Sequence, residues 1–120
     1  SDWYKRQISH WTKDRVKGDK IPLEFLVRKQ TKETAETFGL MDRGQIKEGY
    51  MADINIIDHD KLCVYKPEMV HDLPTGSRRI IQKAGGYIAT IKSGVVTFKD
   101  DEATGELPGT LIRGEQAAHA

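Results

Sequence analysis

Apolar residues in the first third of the chain recur at helical spacing. Between residues 2 and 17 they fall within one arc of a helix, and Gly18 follows Lys17 as expected at a helix C-terminus. This stripe consists of Trp3, Tyr4, Ile8 and Trp11. The pattern predicts a helix over residues 2–17.

A second helix is predicted to begin at Pro22, whose missing N–H suits the first position of a helix. Glu24 and Arg28 have the spacing that favours an ion pair on the solvent side. The other side of this helix carries a narrow stripe of Leu23, Leu26, Val27 and Gln30.

Thr31 is placed to cap a short third helix that carries Ala35 and Phe38. Gly39 is expected to end this helix, and Leu40 to make the apolar contact that accompanies a glycine cap.

Beyond Gly49 the apolar spacing changes to the two-residue period of β-strands. Ser93-Gly94 is a two-residue turn signal that predicts a hairpin between the runs on either side of it. A short strand is also predicted at 63–65, within the otherwise loop-like stretch 59–77. The main extended runs are 51–57, 79–84, 87–92 and 95–99.

Helices followed by strands are typical of an α+β fold, or of adjoining pieces of two domains. We expect a helical segment over residues 1–42 and a β-segment over 43–114 that forms an antiparallel or mixed sheet. Residues 115–120 are expected to form a flexible tail.

The 120 residues carry 19 basic and 18 acidic side chains, for a formal charge of +1. This balance argues against a nucleic-acid-binding arm or a polybasic membrane anchor, and no apolar run approaches the roughly 18 residues of a membrane span. The single cysteine, Cys63, excludes an internal disulfide and fits a reducing compartment. We therefore expect a cytoplasmic protein that binds neither nucleic acid nor membrane. Because Ser1 takes the place of methionine, we expect a processed product or a piece of a longer polypeptide.

Candidate metal ligands are few and scattered. Asp58-His59-Asp60 begins like a calcium loop, but Leu62 and Cys63 stand where an oxygen ligand and a glycine are required. This segment is interpreted as a turn after a strand. The histidines form no H-x-H or H-x-x-x-H pair of the kind that binds zinc; they are His10, His59, His71 and His119.

Gly44 and Gly49 have the spacing of a phosphate-binding loop. Tyr50 and Met51 replace the lysine and the serine or threonine that would bind phosphate and magnesium. The two glycines are therefore interpreted as two turns.

Candidate catalytic groups lack partners along the chain. Ser93 has no flanking glycines of a nucleophile elbow, and Cys63 is interpreted as a small apolar packing residue. Arg78-Arg79 is suited to meet a phosphate or a carboxylate, and His71-Asp72 is the best remaining polar pair, for which loop hydrogen bonding is the commoner role. Asp100-Asp101-Glu102 is interpreted as a solvated turn. We predict no catalytic residue, metal ligand or cofactor-binding residue in this chain.

The order of the motifs along the chain is more informative than the chemistry of each motif by itself. Residues 34–58 read Thr-Ala-Glu-Thr-Phe-Gly-Leu-Met-Asp-Arg-Gly-Gln-Ile-Lys-Glu-Gly-Tyr-Met-Ala-Asp-Ile-Asn-Ile-Ile-Asp. A helix ending in Gly-Leu, a turn through Gly-x-Ile-x-x-Gly and an Ala-Asp before a hydrophobic strand resemble the closing signature of the metal-dependent amidohydrolase superfamily. Segments further along resemble the C-terminal end of its D-aminoacylase and N-acyl-D-amino-acid deacylase branch: 67–74, 79–82, 86–87 and 104–109.

The resemblance implies that residues 2–39 are the last helices of an α/β barrel. Residues 43–112 would then be the C-terminal share of a composite β-sandwich completed by the N-terminal segment of the same polypeptide. A complete barrel needs about 250 residues, so the barrel itself is expected to lie upstream.

For the parent enzyme, the resemblance implies hydrolysis of an amide bond, most readily that of an N-acyl-D-amino acid, by water activated on zinc or another divalent metal. The family's metal ligands lie on upstream barrel strands, and Asp2 is rejected as the last of them because it precedes a helix. Two residues depart from the pattern, since Asp101 replaces a usual glycine and Thr34 a frequent proline. This chain alone is expected to be structural and non-catalytic.

The alternative is a free-standing α+β module that binds a partner without enzymatic activity. Trp3, Trp11 and Phe25 disfavour it, because they indicate helices that pack on a larger body. The expected partners are therefore the missing barrel of the same polypeptide and, for the chain alone, a second copy of itself.

Overall fold

The computed structural model describes residues 2–114, with side chains from residue 6 onward. Helix α1 (Asp2–Ser9) continues directly into a π-helical turn (His10–Asp14). The predicted helix is therefore present but ends before residues 15–17, because the backbone of Arg15 is already extended, with ψ 122°. The Arg15 guanidinium donates to the carbonyls of Lys17 and Asp19, at 2.7 and 2.8 Å, and holds the turn through Gly18.

The apolar stripe predicted for the first helix is described only in part. Ile8 and Trp11 are half-buried, whereas the side chains of Trp3 and Tyr4 lie outside the described set. The Arg15 guanidinium also sits 4.8 Å from the centre of the Trp11 ring, a cation–π distance.

Helix α2 (Leu23–Gln30) begins immediately after Pro22, as the sequence predicts. Its buried residue is Leu26. The expected Glu24–Arg28 pair is wrong: Arg28 Nε lies 3.2 Å from Glu33 Oε1 on the next helix. The short link between the two helices brings Glu33 within reach of both Arg28 and Lys29, which sequence spacing within α2 does not reveal.

Helix α3 (Lys32–Thr37) ends as predicted, at a glycine cap. The N–H of Gly39 donates to Glu36 O at 3.1 Å and that of Leu40 to Ala35 O at 2.9 Å, the two bonds of a Schellman motif. Gly39 has φ +69°, the left-handed conformation that this motif requires. Thr31 does not cap the helix through its side chain, because its hydroxyl donates back to Val27 O at 2.7 Å.

The larger sheet has four antiparallel strands, which follow each other across the sheet in the order β1 (Ile54–Ile57), β6 (Tyr87–Lys92), β7 (Val95–Lys99) and β8 (Glu102–Ala103). Its two inner strands form the predicted hairpin, in which Lys92 lies opposite Val95 and Ile91 opposite Val96. Ser93 and Gly94, with φ 52° and 79°, form its two-residue turn.

Strand β1 is shorter than the predicted run 51–57. The N–H of Met51 donates to Asp42 O at 2.8 Å, and the N–H of Asp53 donates to Met51 O at 2.9 Å. The first bond ties the start of the run to the preceding loop and the second closes a tight turn within the run, so β1 begins only at Ile54.

Two small antiparallel ribbons complete the described chain. One pairs β2 (Cys63–Val64) with β5 (Ala84–Gly85), and the other pairs β3 (Glu68–Val70) with β4 (Arg79–Ile81). The predicted strand 79–84 is therefore two strands in different ribbons. The stretch 59–77 also contains a strand that the loop interpretation missed, because Pro67 and only three extended residues give β3 a weak pattern.

The turn predicted at the three acidic residues is only two residues long. Asp100 and Asp101 have φ 49° and 65° and connect β7 to β8, while Glu102 already belongs to β8. The described chain is thus α+β, with helices first and antiparallel strands after them. No described helix is long and apolar enough to cross a membrane.

Few apolar side chains are buried. Among the described residues, the buried hydrophobic ones are Leu26, Ala35, Leu62 and Ala84. Two polar side chains, Ser9 and Asp42, are buried as well. The helices are therefore held in place relative to the strands largely by specific polar contacts.

Candidate functional site

The histidines do not come together. His10 meets Trp11 edge to face, with ring centres 5.2 Å apart, and His59 lies in the β1–β2 connection, in contact with Thr12. His71 lies in the exposed β3–β4 connection, and His119 lies outside the described residues. Among the side chains of residues 6–114, no three histidine, cysteine or acidic groups are close enough to hold a metal ion.

The most connected polar cluster joins the helical segment to the four-stranded sheet, and we call it the Arg43 joint. Arg43 donates to the buried carboxylate of Asp42 through Nε at 2.9 Å and Nη2 at 3.2 Å. Its Nη1 reaches Asp53 Oδ2, just before β1, at 3.5 Å. The hydrogen bonds that Arg43 donates to Asp42 outweigh partial burial and raise the pKa of Arg43, so the guanidinium stays charged.

Asp53 extends the Arg43 joint into the β6–β7 hairpin. Its Oδ1 accepts from Lys92 Nζ and from the backbone N–H of Ser93, both at 2.9 Å. Burial by itself raises the pKa of Asp53, but the Ser93 N–H together with Lys92 and Arg43 outweighs burial, and the net pKa is lowered. The carboxylate is thus held ionised as a structural anion. Ser93 is a turn residue, as interpreted, and its N–H is committed to this contact.

Gly44 lies at the centre of the same region and confirms the interpretation of the glycines as turns. It has φ +91°, and a Cβ placed there would lie 2.8 Å from Ala35 Cβ and 2.9 Å from Thr31 O. The chain therefore passes directly against helix α3 at this turn. Gly49 is also left-handed, with φ +81°, but has open space around it.

A second contact between helices and strands is built on Lys13. Its ammonium donates to three backbone carbonyls of the β1–β2 connection: His59 O at 2.6 Å, Leu62 O at 3.0 Å and Asp60 O at 3.3 Å. Beside it, Thr12 Oγ1 lies 2.9 Å from His59 Nε2 and donates its own proton to Ile8 O at 2.7 Å. Since that proton is committed, His59 Nε2 must be the donor to Thr12. Lys13 and Thr12 therefore hold the loop after β1 against α1 and the π-helical turn that follows it.

Residues 58–60 form a turn, as predicted, and do not form a calcium loop. Asp58 Oδ1 accepts from the backbone N–H of Lys61 at 3.3 Å, and its Oδ2 lies 3.5 Å from Lys61 Nζ. The carboxylate is therefore committed within its own turn.

The pair His71-Asp72 and the arginine Arg79 meet at the base of the β3–β4 hairpin. Asp72 accepts from Arg79 Nε at 2.6 Å and from Arg79 Nη2 at 2.5 Å, a bidentate ion pair. The Arg79 hydrogen bonds lower the pKa of Asp72. The carboxylate that binds Arg79 thus belongs to the same chain. Asp72 binds Arg79 and does not orient its neighbour His71.

An open groove of about 620 Å³ lies between β2 and the helical segment formed by α1 and the π-helical turn. Its walls include Arg6, His10, Cys63 and Tyr65. Cys63 is exposed here, which corrects its interpretation as an apolar packing residue: the neighbouring Leu62 takes the buried position. The hydrogen bond with Cys63 raises the pKa of Tyr65, so the phenol stays protonated. The hydroxyl of the buried Ser9, also in the wall of the groove, donates to Asp14 Oδ2 at 2.5 Å and links the end of α1 to the π-helical turn.

Sequence reasoning missed Arg43, Lys13 and Lys92 as contact-forming residues. For Arg43 and Asp53 a signal was present, because both lie within the motif of residues 34–58 that carries the family resemblance. Lys13 gave no signal, since its partners are backbone carbonyls more than forty positions away.

Comparison with known proteins agrees with the motif. The family model described as "Amidohydrolase family" matches residues 4–98. A "D-aminoacylase" of Alcaligenes xylosoxydans xylosoxydans is 30% identical over 109 residues, which are 91% of this chain and 20% of that protein. The chain thus spans about a fifth of the length of this curated relative. No solved structure matches significantly. On the family match over most of its length, the chain belongs to the amidohydrolase family.

Proposed function

We propose that these residues are the C-terminal part of a metal-dependent amidohydrolase that cleaves the amide bond of N-acyl-D-amino acids. The observation that carries the proposal is the alignment with the D-aminoacylase, which takes in 91% of this chain but only 20% of the relative. In this proposal the 120 residues brace the enzyme and supply no catalytic group.

The described residues do not fit a metal centre of their own. Their carboxylates in the two connected clusters are already paired with cations: Asp42 and Asp53 with Arg43, and Asp72 with Arg79. Zinc or another divalent metal of the parent enzyme would therefore be held by residues outside the described range.

In the proposed arrangement, the helices up to about residue 42 close a barrel, and the strands from about residue 43 form part of a composite β-sandwich. The Arg43 joint and Lys13 support this role because both tie a helix or its following loop to the strand region. We place the protein in a reducing compartment such as the cytoplasm, because its single cysteine, Cys63, is free.

A chimaera tests the proposal. The 109-residue segment of the D-aminoacylase that aligns with this chain is replaced by this chain, and release of acetate from an N-acetyl-D-amino acid is measured. We expect a folded, active chimaera whose activity is abolished by a chelator. Arg43→Ala in the chimaera should reduce the folded yield, whereas Arg78→Ala, at an exposed position, should not.

The same substrate and zinc are also given to the 120-residue chain alone, which should release no acetate. Chelator-sensitive release by the chain alone would contradict a purely bracing role. A chimaera that folds but is inactive with every N-acetyl-D-amino acid, while hydrolysing another amide, would contradict the substrate and leave the family intact.

A further inference from the structure

Three backbone carbonyls of the β1–β2 connection converge on one position, which the ammonium of Lys13 occupies. The distances from Lys13 Nζ are 2.6 Å to His59 O, 3.0 Å to Leu62 O and 3.3 Å to Asp60 O. We call these three oxygens the carbonyl cage. A lysine ammonium has three N–H donors and no acceptor, so each carbonyl can take one of its protons. Lys13 thus directs all of its donors to a single loop.

The strand region holds the carbonyl cage by contacts that do not involve Lys13. The N–H of Asp58 donates to Gly86 O at 2.8 Å, and the N–H of Leu62 donates to His59 O at 3.3 Å. Leu62 is 3% exposed. Gly86, with φ +90°, lies so close to the loop that an added Cβ would be 2.7 Å from Leu62 Cα. The three oxygens should therefore remain together when the lysine side chain is removed.

The charge of the loop also favours a cation in the carbonyl cage. Residues 58–62 carry the carboxylates of Asp58 and Asp60 and one ammonium, that of Lys61, which lies 3.5 Å from Asp58 Oδ2. Truncation of Lys13 would leave three carbonyl oxygens facing one position without a donor between them. Because acceptors shielded from water are costly without a donor, the vacated cage favours a small cation that carries N–H groups.

We propose that the carbonyl cage is a binding site for primary ammonium ions. Lys13 fills it in the parent chain, and a free alkylammonium ion fills it when that side chain is truncated. Methylammonium is the matching free ion, because it has the charge and the three N–H donors of the lysine head group, and its methyl group takes the place of Cε. The proposal does not rest on the proposed function, which gives this loop no ligand.

The small size of methylammonium limits its affinity. The ion has only a carbon and a nitrogen besides hydrogen, which keeps its dissociation constant at about 10 mM or weaker. With a dissociation constant of about 0.1 M, methylammonium at about 0.5 M would lower the equilibrium constant for unfolding about sixfold. A change of this size is measurable by urea unfolding.

The test compares urea unfolding of Lys13→Ala in methylammonium chloride and in tetramethylammonium chloride, each at about 0.5 M. Tetramethylammonium has the same charge but no N–H donor. We expect methylammonium to lower the equilibrium constant for unfolding of Lys13→Ala about sixfold relative to tetramethylammonium. The parent chain, whose cage is filled, should respond equally to the two salts. Lys17→Ala, the truncation of an exposed lysine, is the matched control and should also respond equally.

Equal responses of Lys13→Ala to the two salts would overturn the proposal. It is also overturned if the parent chain or Lys17→Ala gains as much from methylammonium as Lys13→Ala does, because the ion would then act elsewhere. If Lys13→Ala is unfolded without added salt, methylammonium and not tetramethylammonium should restore the circular dichroism of the parent chain. A failure to restore it would count against the site in the same way.

Discussion

Replacing Gly44 by alanine should destabilise the chain far more than the same change at Gly49. Both glycines are left-handed, with φ +91° and +81°, so both variants incur the cost of placing a Cβ in that conformation, about 1 kcal/mol. At Gly49 nothing lies within 4 Å of the new Cβ. The conformational cost is therefore the whole effect there, and Gly49→Ala is the matched control.

At Gly44 the new methyl group also meets helix α3. It would lie 2.8 Å from Ala35 Cβ, 2.9 Å from Thr31 O and 3.0 Å from Lys32 Cα. None of these atoms is the end of a flexible side chain, so the loop and the helix must move apart. Overpacking of this kind costs typically about 1–3 kcal/mol, for an expected total of about 2–4 kcal/mol. The shift would also carry Arg43 away from Asp53.

The assay is urea unfolding followed by tryptophan fluorescence, with the free energy of unfolding compared among the parent chain, Gly44→Ala and Gly49→Ala. Equal losses for the two variants would refute the argument, because the close approach of Gly44 to α3 would then contribute nothing. A loss at Gly49 larger than at Gly44 would show that the loop 44–49 is packed differently from the described structure.

Two further predictions concern the contacts between helices and strands. Lys13→Met should lower the free energy of unfolding by about 1.5–3 kcal/mol, because three carbonyls lose a charged donor. Urea unfolding measures this loss. An equal loss in Lys17→Met, at an exposed position, would contradict the prediction. Asp53→Asn should make the free energy of unfolding depend less on pH in the acidic range. The pKa of Asp53 is lowered in the folded chain, so the ionised carboxylate stabilises the fold above the unfolded pKa of 3.8. This stabilisation disappears as the pH falls through the folded pKa. Unfolding curves between pH 7 and pH 3 that stay parallel for the parent chain and Asp53→Asn would contradict this assignment.

The elements that sequence alone predicted are those whose signal is local. The cap at Gly39 follows from a single residue type at the end of a short helix, and the hairpin at Ser93-Gly94 follows from two residues between alternating runs. The missed features depend on distant partners. Arg28 pairs with the following helix, and Lys13 binds carbonyls of a loop far along the chain, so no local spacing reveals either contact.

The candidate site shows the same limit in another form. Reading each polar motif by itself excluded a calcium loop, a phosphate loop and a catalytic serine, because each exclusion needed only neighbouring residues. The role of Asp72 could not be read this way. Its neighbour His71 made it look like one half of a polar pair, whereas the β3–β4 hairpin brings Arg79 to it from seven positions away.

The thin core connects these observations to the proposed function. Leu26, Ala35, Leu62 and Ala84 are too few to hold helices and strands together by apolar burial alone, since a fully buried leucine contributes about 1.5–3 kcal/mol and an alanine much less. The contacts that remain are charged ones in partly exposed positions, and exposed ion pairs stabilise weakly. A chain built this way gains most when a further layer covers the exposed apolar side chains of its strands, such as Ile56 and Val96. For this reason we propose a bracing segment of a larger amidohydrolase rather than a free-standing module.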